Sequence, residues 1–149
     1  MGNDFKIRKI ENKDKEAFFA MSRDFYASDA VLHDIPEEYH ERAFAELTRS
    51  EDYARGYLLE FDGKTAGYAL LSLSYSREAG GLCVWIEELY VLPEYQGRGA
   101  AHAFFGWLEE NIPAARYRLE TEHDNLRAKK LYKSLGYYPL EYEQFIKGN

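Results

Sequence analysis

The chain has 149 residues, of which 46% are hydrophobic and 30% charged, and its net charge is −7. This length and composition predict a single globular domain over residues 1–149. The negative charge argues against nucleic acid as a partner and leaves cationic small molecules open. The one cysteine, Cys83, lies in an apolar run and is expected in the core, so an intrachain disulfide or a cysteine-based metal site is excluded.

Neither a membrane nor a metal is expected as a partner. No apolar run reaches the roughly 18 residues of a membrane span, and the N-terminus carries no apolar secretory segment. The four histidines show no metal-ligand spacing and are expected to be surface or structural residues. The sequence therefore predicts a cytoplasmic protein.

The first half of the chain begins with a strand and two helices. Residues 5–10 alternate in polarity and predict a strand, and residues 13–28 have apolar side chains at helical spacing. A second helix is predicted from Pro36, a residue favoured at the first helical position, to Ser50. Two strands follow, over 55–61 and 64–76, joined by the hairpin signal Asp62-Gly63.

The second half predicts alternating strands and helices. Strands are expected over 82–91, 117–122 and 142–146, and helices over 101–112 and 125–135, the last one closed by Gly136. The order β-α-α-β-β-β-α-β-α-β indicates a mixed α/β fold in which an antiparallel region precedes a βαβ unit.

The stretch LPEYQGRGAA, residues 92–101, joins a predicted strand to a predicted helix. A helix N-terminus presents unpaired N–H groups and partial positive charge, which favour anions. Gly97 and Gly99 would let the backbone approach a phosphate closely, and Arg98 adds a donor. The stretch matches neither a dinucleotide fingerprint, since His102 occupies the third glycine position, nor a P-loop. It predicts an anion-binding loop.

Two motifs resemble those of the GNAT acetyltransferase superfamily. Residues 96–101, QGRGAA, are similar to the signature Q/R-x-x-G-x-G/A, and residues 125–137, NLRAKKLYKSLGY, are similar to N-x-x-A-x-x-L-Y-x-x-x-G-F/Y. The resemblance is close over about residues 82–137. It implies the GNAT fold, with a mixed central sheet of about six to seven strands flanked by about four helices. The C-terminal residues look too short for the family's final hairpin.

The resemblance also implies acetyl-CoA as cosubstrate. Its pyrophosphate would lie on the N–H groups of the loop, and its pantetheine arm would pair with the strand before the loop. Asn125 would contact this arm or cap its helix, two alternatives that stay open. The implied cofactor-binding residues are Leu89, Tyr90, Val91, Gln96, Gly97, Arg98, Gly99, Ala100, Ala101, Asn125, Ala128 and Tyr132.

Acetyl transfer to an amine needs a base for the amine and an acid for the departing thiolate. By the resemblance, Tyr132 is the acid, and Glu87 matches the proposed base of polyamine-acetylating members. Glu88 is the second candidate, and strand alternation predicts that the two glutamates face opposite ways unless a bulge intervenes.

The expected activity is N-acetylation of a primary amine on a small cationic acceptor, polyamine- or aminoglycoside-like. The acidic residues Asp29, Asp34, Glu37 and Glu38 and the aromatic residues Tyr26 and Tyr75 are candidates for the acceptor cleft. Two alternatives remain: a protein N-terminal or lysine acetyltransferase, and an acetyl-CoA-binding regulatory module without turnover. The family also allows a homodimer.

Overall fold

The computed structural model describes residues 5–149, and its centre is a five-stranded sheet. The strands are β1 (Phe5–Lys9), β2 (Ala54–Phe61), β3 (Lys64–Ser76), β4 (Gly81–Val91) and β5 (Arg116–Leu119). They lie in the order β1-β2-β3-β4-β5. The first four are antiparallel, and β5 runs parallel to β4. The mixed α/β fold is confirmed, with fewer strands among the described residues than the six to seven predicted.

Four helices flank the sheet, as predicted. They are α1 (Lys15–Tyr26), α2 (Glu37–Arg49), α3 (Ala100–Asn111) and α4 (Leu126–Ser134). Pro36 is the N-cap of α2 rather than its first residue. The predicted hairpin is present, because Asp62 and Gly63 adopt φ angles of 50° and 78° between β2 and β3.

The two faces of the sheet carry separate cores. The α3 face packs Leu59, Leu71, Val84 and Ile86 against α3, including Phe104, and Tyr132 of α4 lies against it. The α1 face packs Leu58 and Tyr68 against α1 and α2, including Phe18 and Phe44. Cys83 is buried, as expected. The sheet thus separates two sets of side chains that alternate along each strand.

A bulge interrupts this alternation in β4. Leu71 of β3 pairs with Ile86, and Leu70 pairs with Glu88, which leaves Glu87 without a partner across the ladder. The inserted residue changes the phase of the strand. Ile86 and Leu89 therefore both contact the α3 core, although three positions separate them.

The predicted strand over residues 142–146 does not form. No helix or strand follows Ser134 among the described residues, and the side chains of Phe145 and Ile146 are 89% and 87% exposed. The segment is held by side chains: the Tyr142 hydroxyl donates to Glu78, and Asn149 donates to the Tyr39 hydroxyl. An alternating or apolar run forms a strand only where a partner edge accepts it, and this segment pairs with none within the described chain.

Candidate active site

The glycine-rich stretch forms a tight loop between β4 and α3. A 3₁₀ turn over Pro93–Tyr95 leads into it, and Gly99 is the N-cap of α3. Gly97 and Gly99 have φ angles of 76° and 85°, in the left-handed region that favours glycine. Apart from the adjacent residues of the chain, no atom of residues 5–149 lies within 4 Å of where a Cβ would stand at either glycine. The loop therefore leaves open space beside its backbone.

The N–H groups of this loop are largely unpaired. The first helical bond of α3 runs from Ala103 N–H to Gly99 C=O, and no side chain of the described residues caps the helix. From Gly97 to His102 the backbone N–H groups have no partner among the described residues. A run of free N–H groups at a helix start is suited to a phosphate or pyrophosphate.

Gln96 differs from its predicted role. Its N–H donates to the Pro93 carbonyl and its side-chain Nε2 donates to the Val91 carbonyl at 3.0 Å. The amide is therefore already engaged, and the run of free donors begins at Gly97. Gln96 instead ties the loop to the end of β4. Ala100 is buried and Ala101 is half-buried at the start of α3.

Arg98 places a cation beside the loop. Its guanidinium lies over the rings of Phe61 and Tyr95, at 5.4 and 5.6 Å from their centroids. These three side chains, with Lys64 and two acidic residues, line a surface pocket of about 270 Å³. Positive charge near the free N–H groups adds to the attraction for an anion.

Strand β4 has an unpaired edge beyond the bulge. Its parallel pairing with β5 ends at Ile86 and Leu119, so residues 87–91 have no strand partner on that side within the described chain. Leu89 and Val91 point to the α3 face, whereas Tyr90 points to the α1 face and donates to Asp24. An unpaired edge offers main-chain N–H and C=O groups to an extended, amide-containing ligand.

Helix α4 carries the second motif. Asn125 caps it, with Oδ1 accepting from the Ala128 N–H at 3.1 Å. The capping alternative therefore holds, and the side-chain NH₂ group of Asn125 stays available. Tyr132 packs against Phe105 and Tyr137, and its hydroxyl has no hydrogen bond within the described chain. Burial raises the pKa of this hydroxyl, which keeps it protonated near neutral pH.

The two glutamates lie on the same face because of the bulge, contrary to simple alternation. Glu87 is exposed and its carboxylate accepts from Ser72 at 2.5 Å. Glu88 accepts from the hydroxyls of Tyr68 at 2.6 Å and Tyr26 at 2.8 Å. Burial raises the pKa of Glu88 above the usual glutamate range, although the two hydroxyl donors act in the opposite direction.

The predicted acceptor residues are only partly assembled. Tyr26 touches Glu88, but Tyr75 is 76% exposed. Glu37 forms an ion pair with Arg23, and the Asp34 carboxylate accepts from the Ile35 N–H. Asp29 and Glu38 are exposed. The structure therefore brings one of these six residues to the glutamates by direct contact.

Sequence analysis missed three residues near Glu88. Tyr68 reaches it from β3, while Ser22 of α1 and His40 of α2 form a buried pair behind it. Strand alternation could have placed Tyr68 on the α1 face. The Ser22–His40 contact joins two helices and depends on tertiary packing. Among residues 5–149, no group of three or more His, Cys, Asp or Glu side chains is arranged to hold a metal ion.

Comparison with known proteins identifies the family. Residues 12–137 match the model of the acetyltransferase (GNAT) family. No protein with a curated function matches the chain significantly. Across the part of the chain that the structure describes, no helix is long and apolar enough to cross a membrane.

Solved structures share the fold at low identity. A possible acetyltransferase from Clostridium difficile 630 is 20% identical, with 97% of each chain covered and a TM-score of 0.81. AAC(6')-Iy, in complex with the bisubstrate analogue CoA-S-monomethyl-acetylneamine, is 19% identical over 97% of this chain and 98% of that one, with a TM-score of 0.79. Ribosomal-protein-alanine N-acetyltransferase from Brucella melitensis biovar Abortus 2308 is 16% identical over 97% and 99%, with a TM-score of 0.75.

The loop with free N–H groups, the unpaired edge of β4 and the family match agree with one another. The chain belongs to the acetyltransferase (GNAT) family and is an acyl-CoA-dependent N-acetyltransferase that uses acetyl-CoA.

Proposed function

We propose that this acetyltransferase modifies the primary amine of a small cationic acceptor, and that Glu88 accepts the proton of that amine. The observation that carries the proposal is a group of carboxylates on the α1 face, beside the unpaired edge of β4. Glu87, Glu88 and Asp24 form no ion pair among the described residues. Uncompensated negative charge favours a cation in the same region.

Glu88 is better suited than Glu87 to act as the base. An amine arrives protonated near neutral pH, so the enzyme must remove a proton before or during attack. A base works best when its pKa is near the working pH, and burial raises the pKa of Glu88 towards that range. The exposed Glu87, which sequence favoured, then serves as an additional negative charge for the acceptor.

Tyr132 is proposed as the acid. It lies on the α3 face, whereas Glu88 lies on the α1 face, and residues 87–91 form the open edge between them. Pantetheine along this edge would bring its sulfur between the two side chains. The protonated Tyr132 hydroxyl would then donate to the departing thiolate as the new amide forms.

The loop and the edge are proposed to hold acetyl-CoA. The free N–H groups from Gly97 to Ala101 and the cation of Arg98 suit the pyrophosphate, while Leu89, Tyr90 and Val91 offer main-chain partners to the pantetheine arm. Asn125 holds the start of α4, and Ala128, which donates to it, leaves little side-chain bulk there.

The test is a thiol-release assay on a panel of amines with acetyl-CoA. The panel contains spermidine, neamine, an uncharged primary amine of similar size, and peptides with a free N-terminus or lysine. We expect the enzyme to acetylate the small polycations faster than the uncharged amine. Preferential turnover of the peptides would overturn the small-acceptor proposal and favour the protein acetyltransferase.

The choice between the glutamates is tested by Glu88→Gln and Glu87→Gln. Removing the base should lower kcat/KM near pH 7 by about 10²-fold, and the loss should shrink at high pH because more of the amine is already neutral. Glu87→Gln should mainly raise KM for the cationic amine. A Glu87 variant that loses kcat while Glu88→Gln remains active would reverse the assignment.

A further inference from the structure

The C-terminal segment, residues 138–149, leaves its apolar side chains uncovered. No residue after Tyr137 belongs to either core of the sheet. Five of the nine large hydrophobic side chains that are exposed among the described residues lie in this segment, namely Tyr138, Leu140, Tyr142, Phe145 and Ile146. Exposed apolar side chains concentrated on one segment indicate a surface that another molecule covers.

Part of the C-terminal segment has the pattern of a strand with two different faces. Apolar and acidic side chains alternate over residues 140–143, in the order Leu140, Glu141, Tyr142 and Glu143. In an extended chain the two apolar side chains point to one side and the two carboxylates point to the other. Pro139, which has no N–H group to donate, suits the position just before such a strand.

Strand β5 is an open edge of the sheet and carries the complementary pattern. It is last in the strand order and pairs only with β4 among the described residues. Its side chains Tyr117 and Leu119 pack against the α3 core. Arg118 lies over the ring of Trp85 on the α1 face, at 4.1 Å from the centroid, and alternation places Arg116 on that face as well. The edge therefore offers apolar side chains on one face and cations on the other.

One antiparallel register matches the two patterns at all four positions. The pairs in this register are Leu119 with Leu140, Arg118 with Glu141, Tyr117 with Tyr142 and Arg116 with Glu143. Residues directly opposite each other share a face, so both apolar pairs lie on the α3 face and both ion pairs on the α1 face. A shift of one residue sets each carboxylate against an apolar side chain, which specifies the register. Parallel pairing also aligns the charges, but it sets Gln144 rather than a leucine against Leu119.

Within one chain the two matching parts are held apart. The Tyr142 hydroxyl donates to Glu78 in the turn between β3 and β4, and the Asn149 side chain donates to the Tyr39 hydroxyl on α2. The C-terminal segment therefore leads from that turn to α2 and forms no ladder with β5. Both of these hydrogen bonds are exposed to solvent, so releasing the segment costs little.

We propose that two copies of this chain exchange their C-terminal segments, with residues 140–143 of each copy pairing antiparallel to β5 of the other. The exchange has twofold symmetry, because each copy supplies one edge and one segment. It covers both open β5 edges and removes the apolar side chains of residues 140 and 142 from water in both copies. Closed symmetry limits the assembly to a dimer.

The experiment measures the dimer Kd by sedimentation velocity on full-length chains over a range of concentrations. Wild type should form a dimer. Glu141→Arg and Arg118→Glu each set like charges opposite one another at both contacts of the dimer, so either variant alone should raise Kd about ten- to hundredfold. An equimolar mixture of the two variants should regain the wild-type Kd, because their heterodimer has opposite charges at both contacts. Pairing of the segment with β5 inside one chain cannot produce this recovery.

The control is Lys147→Glu, which makes the same change of charge as Arg118→Glu on the exposed segment beyond the paired residues and should leave Kd within twofold of wild type. Arg118→Glu also removes the contact with Trp85. If that variant fails to fold, Arg116→Glu mixed with Glu143→Arg tests the other ion pair in the same way. A wild-type chain that is monomeric at every concentration would overturn the proposal. So would a dimer that tolerates both variants, or a mixture of variants that stays monomeric.

Discussion

The two faces of the sheet differ in how their chemistry is encoded. On the α3 face, the loop and α4 carry residues that are close together in sequence, in two motifs over 96–101 and 125–137. On the α1 face, Ser22, Tyr26, His40, Tyr68 and Glu88 come from two helices and two strands. The proposed site for the cosubstrate is formed by residues close together in sequence, whereas the acceptor side is assembled from distant residues by the packing of helices and strands. This difference predicts separable effects on the two substrates.

Tyr132→Phe should have the largest effect and should act on chemistry alone. Loss of the proposed acid should lower turnover by about 10²–10⁴-fold while the Kd for acetyl-CoA stays unchanged, because the ring packing is kept. Steady-state rates and calorimetric titration measure the two quantities. Tyr137→Phe, in contact with the same rings, is the matched control. A rate within twofold of wild type would show that Tyr132 only packs.

Gly99→Val tests whether the loop binds acetyl-CoA independently of the α1 face. A side chain there would fill open space beside the free N–H groups, so the Kd for acetyl-CoA should rise about ten- to hundredfold. The substitution also strains a positive φ of 85°. Gly80→Val is the matched control, since Gly80 has a φ of 83° in similarly open space at the β3–β4 turn. Equal Kd values for the two variants would remove the loop from the site.

Asp14→Asn tests how the α1 face is held. Arg8 donates two hydrogen bonds to the Asp14 carboxylate at the start of α1, and they hold its pKa below the usual range. The variant should lose about 2 kcal/mol of unfolding free energy near neutral pH. A carboxyl group whose pKa is lowered by folding stabilises the folded state at pH values above its pKa in the unfolded chain. The greater stability of wild type over the variant should therefore decrease as the pH falls below about 4.

Denaturant titration at several pH values measures the loss, with Asp52→Asn as an exposed control. A difference from wild type that stays constant down to pH 3 would contradict the ionic origin of the contact.

The smallest of these effects should be that of Glu88→Gln on stability, which is measured separately from its effect on rate. Burial raises the pKa of Glu88, so ionisation destabilises the wild-type fold as the pH rises from the unfolded value to the folded one. The variant lacks this charge, so its stability relative to wild type should increase as the pH rises above the unfolded value of about 4. Thermal melts across this range, with Glu87→Gln in parallel, measure the gain. A relative stability that falls with rising pH would contradict the assigned direction.

Most elements could be predicted because their signals are local. The Asp62-Gly63 turn, the periodicity of α3 and the Asn125 start of α4 each depend on neighbouring residues. The predicted strand over 142–146 failed, because the segment pairs with no edge in the described chain. A strand forms only when two segments pair, and a local sequence pattern describes only one of them.

The residues of the acceptor side could not be predicted from local sequence patterns for a similar reason. No glycine or proline marks the bulge at Glu87, so alternation wrongly sent Glu88 to the opposite face. The contact between Ser22 and His40 joins residues 18 positions apart on different helices. Such pairs are created by helix packing, which periodicity indicates only as a general apolar face.

The bulge also means that β4 carries one residue more than its pairing with β3 requires. From Leu82 to Ile86 the even-numbered side chains face α3, whereas from Leu89 onward the odd-numbered ones do. Deleting a single residue at Glu87 would restore simple alternation, with Ile86 and Leu89 on the α3 face and the remaining glutamate between them on the α1 face. Both halves of the strand would keep their surroundings, and the α1 face would lose one carboxylate. A one-codon deletion here would therefore remove the bulge without turning over either half of the strand.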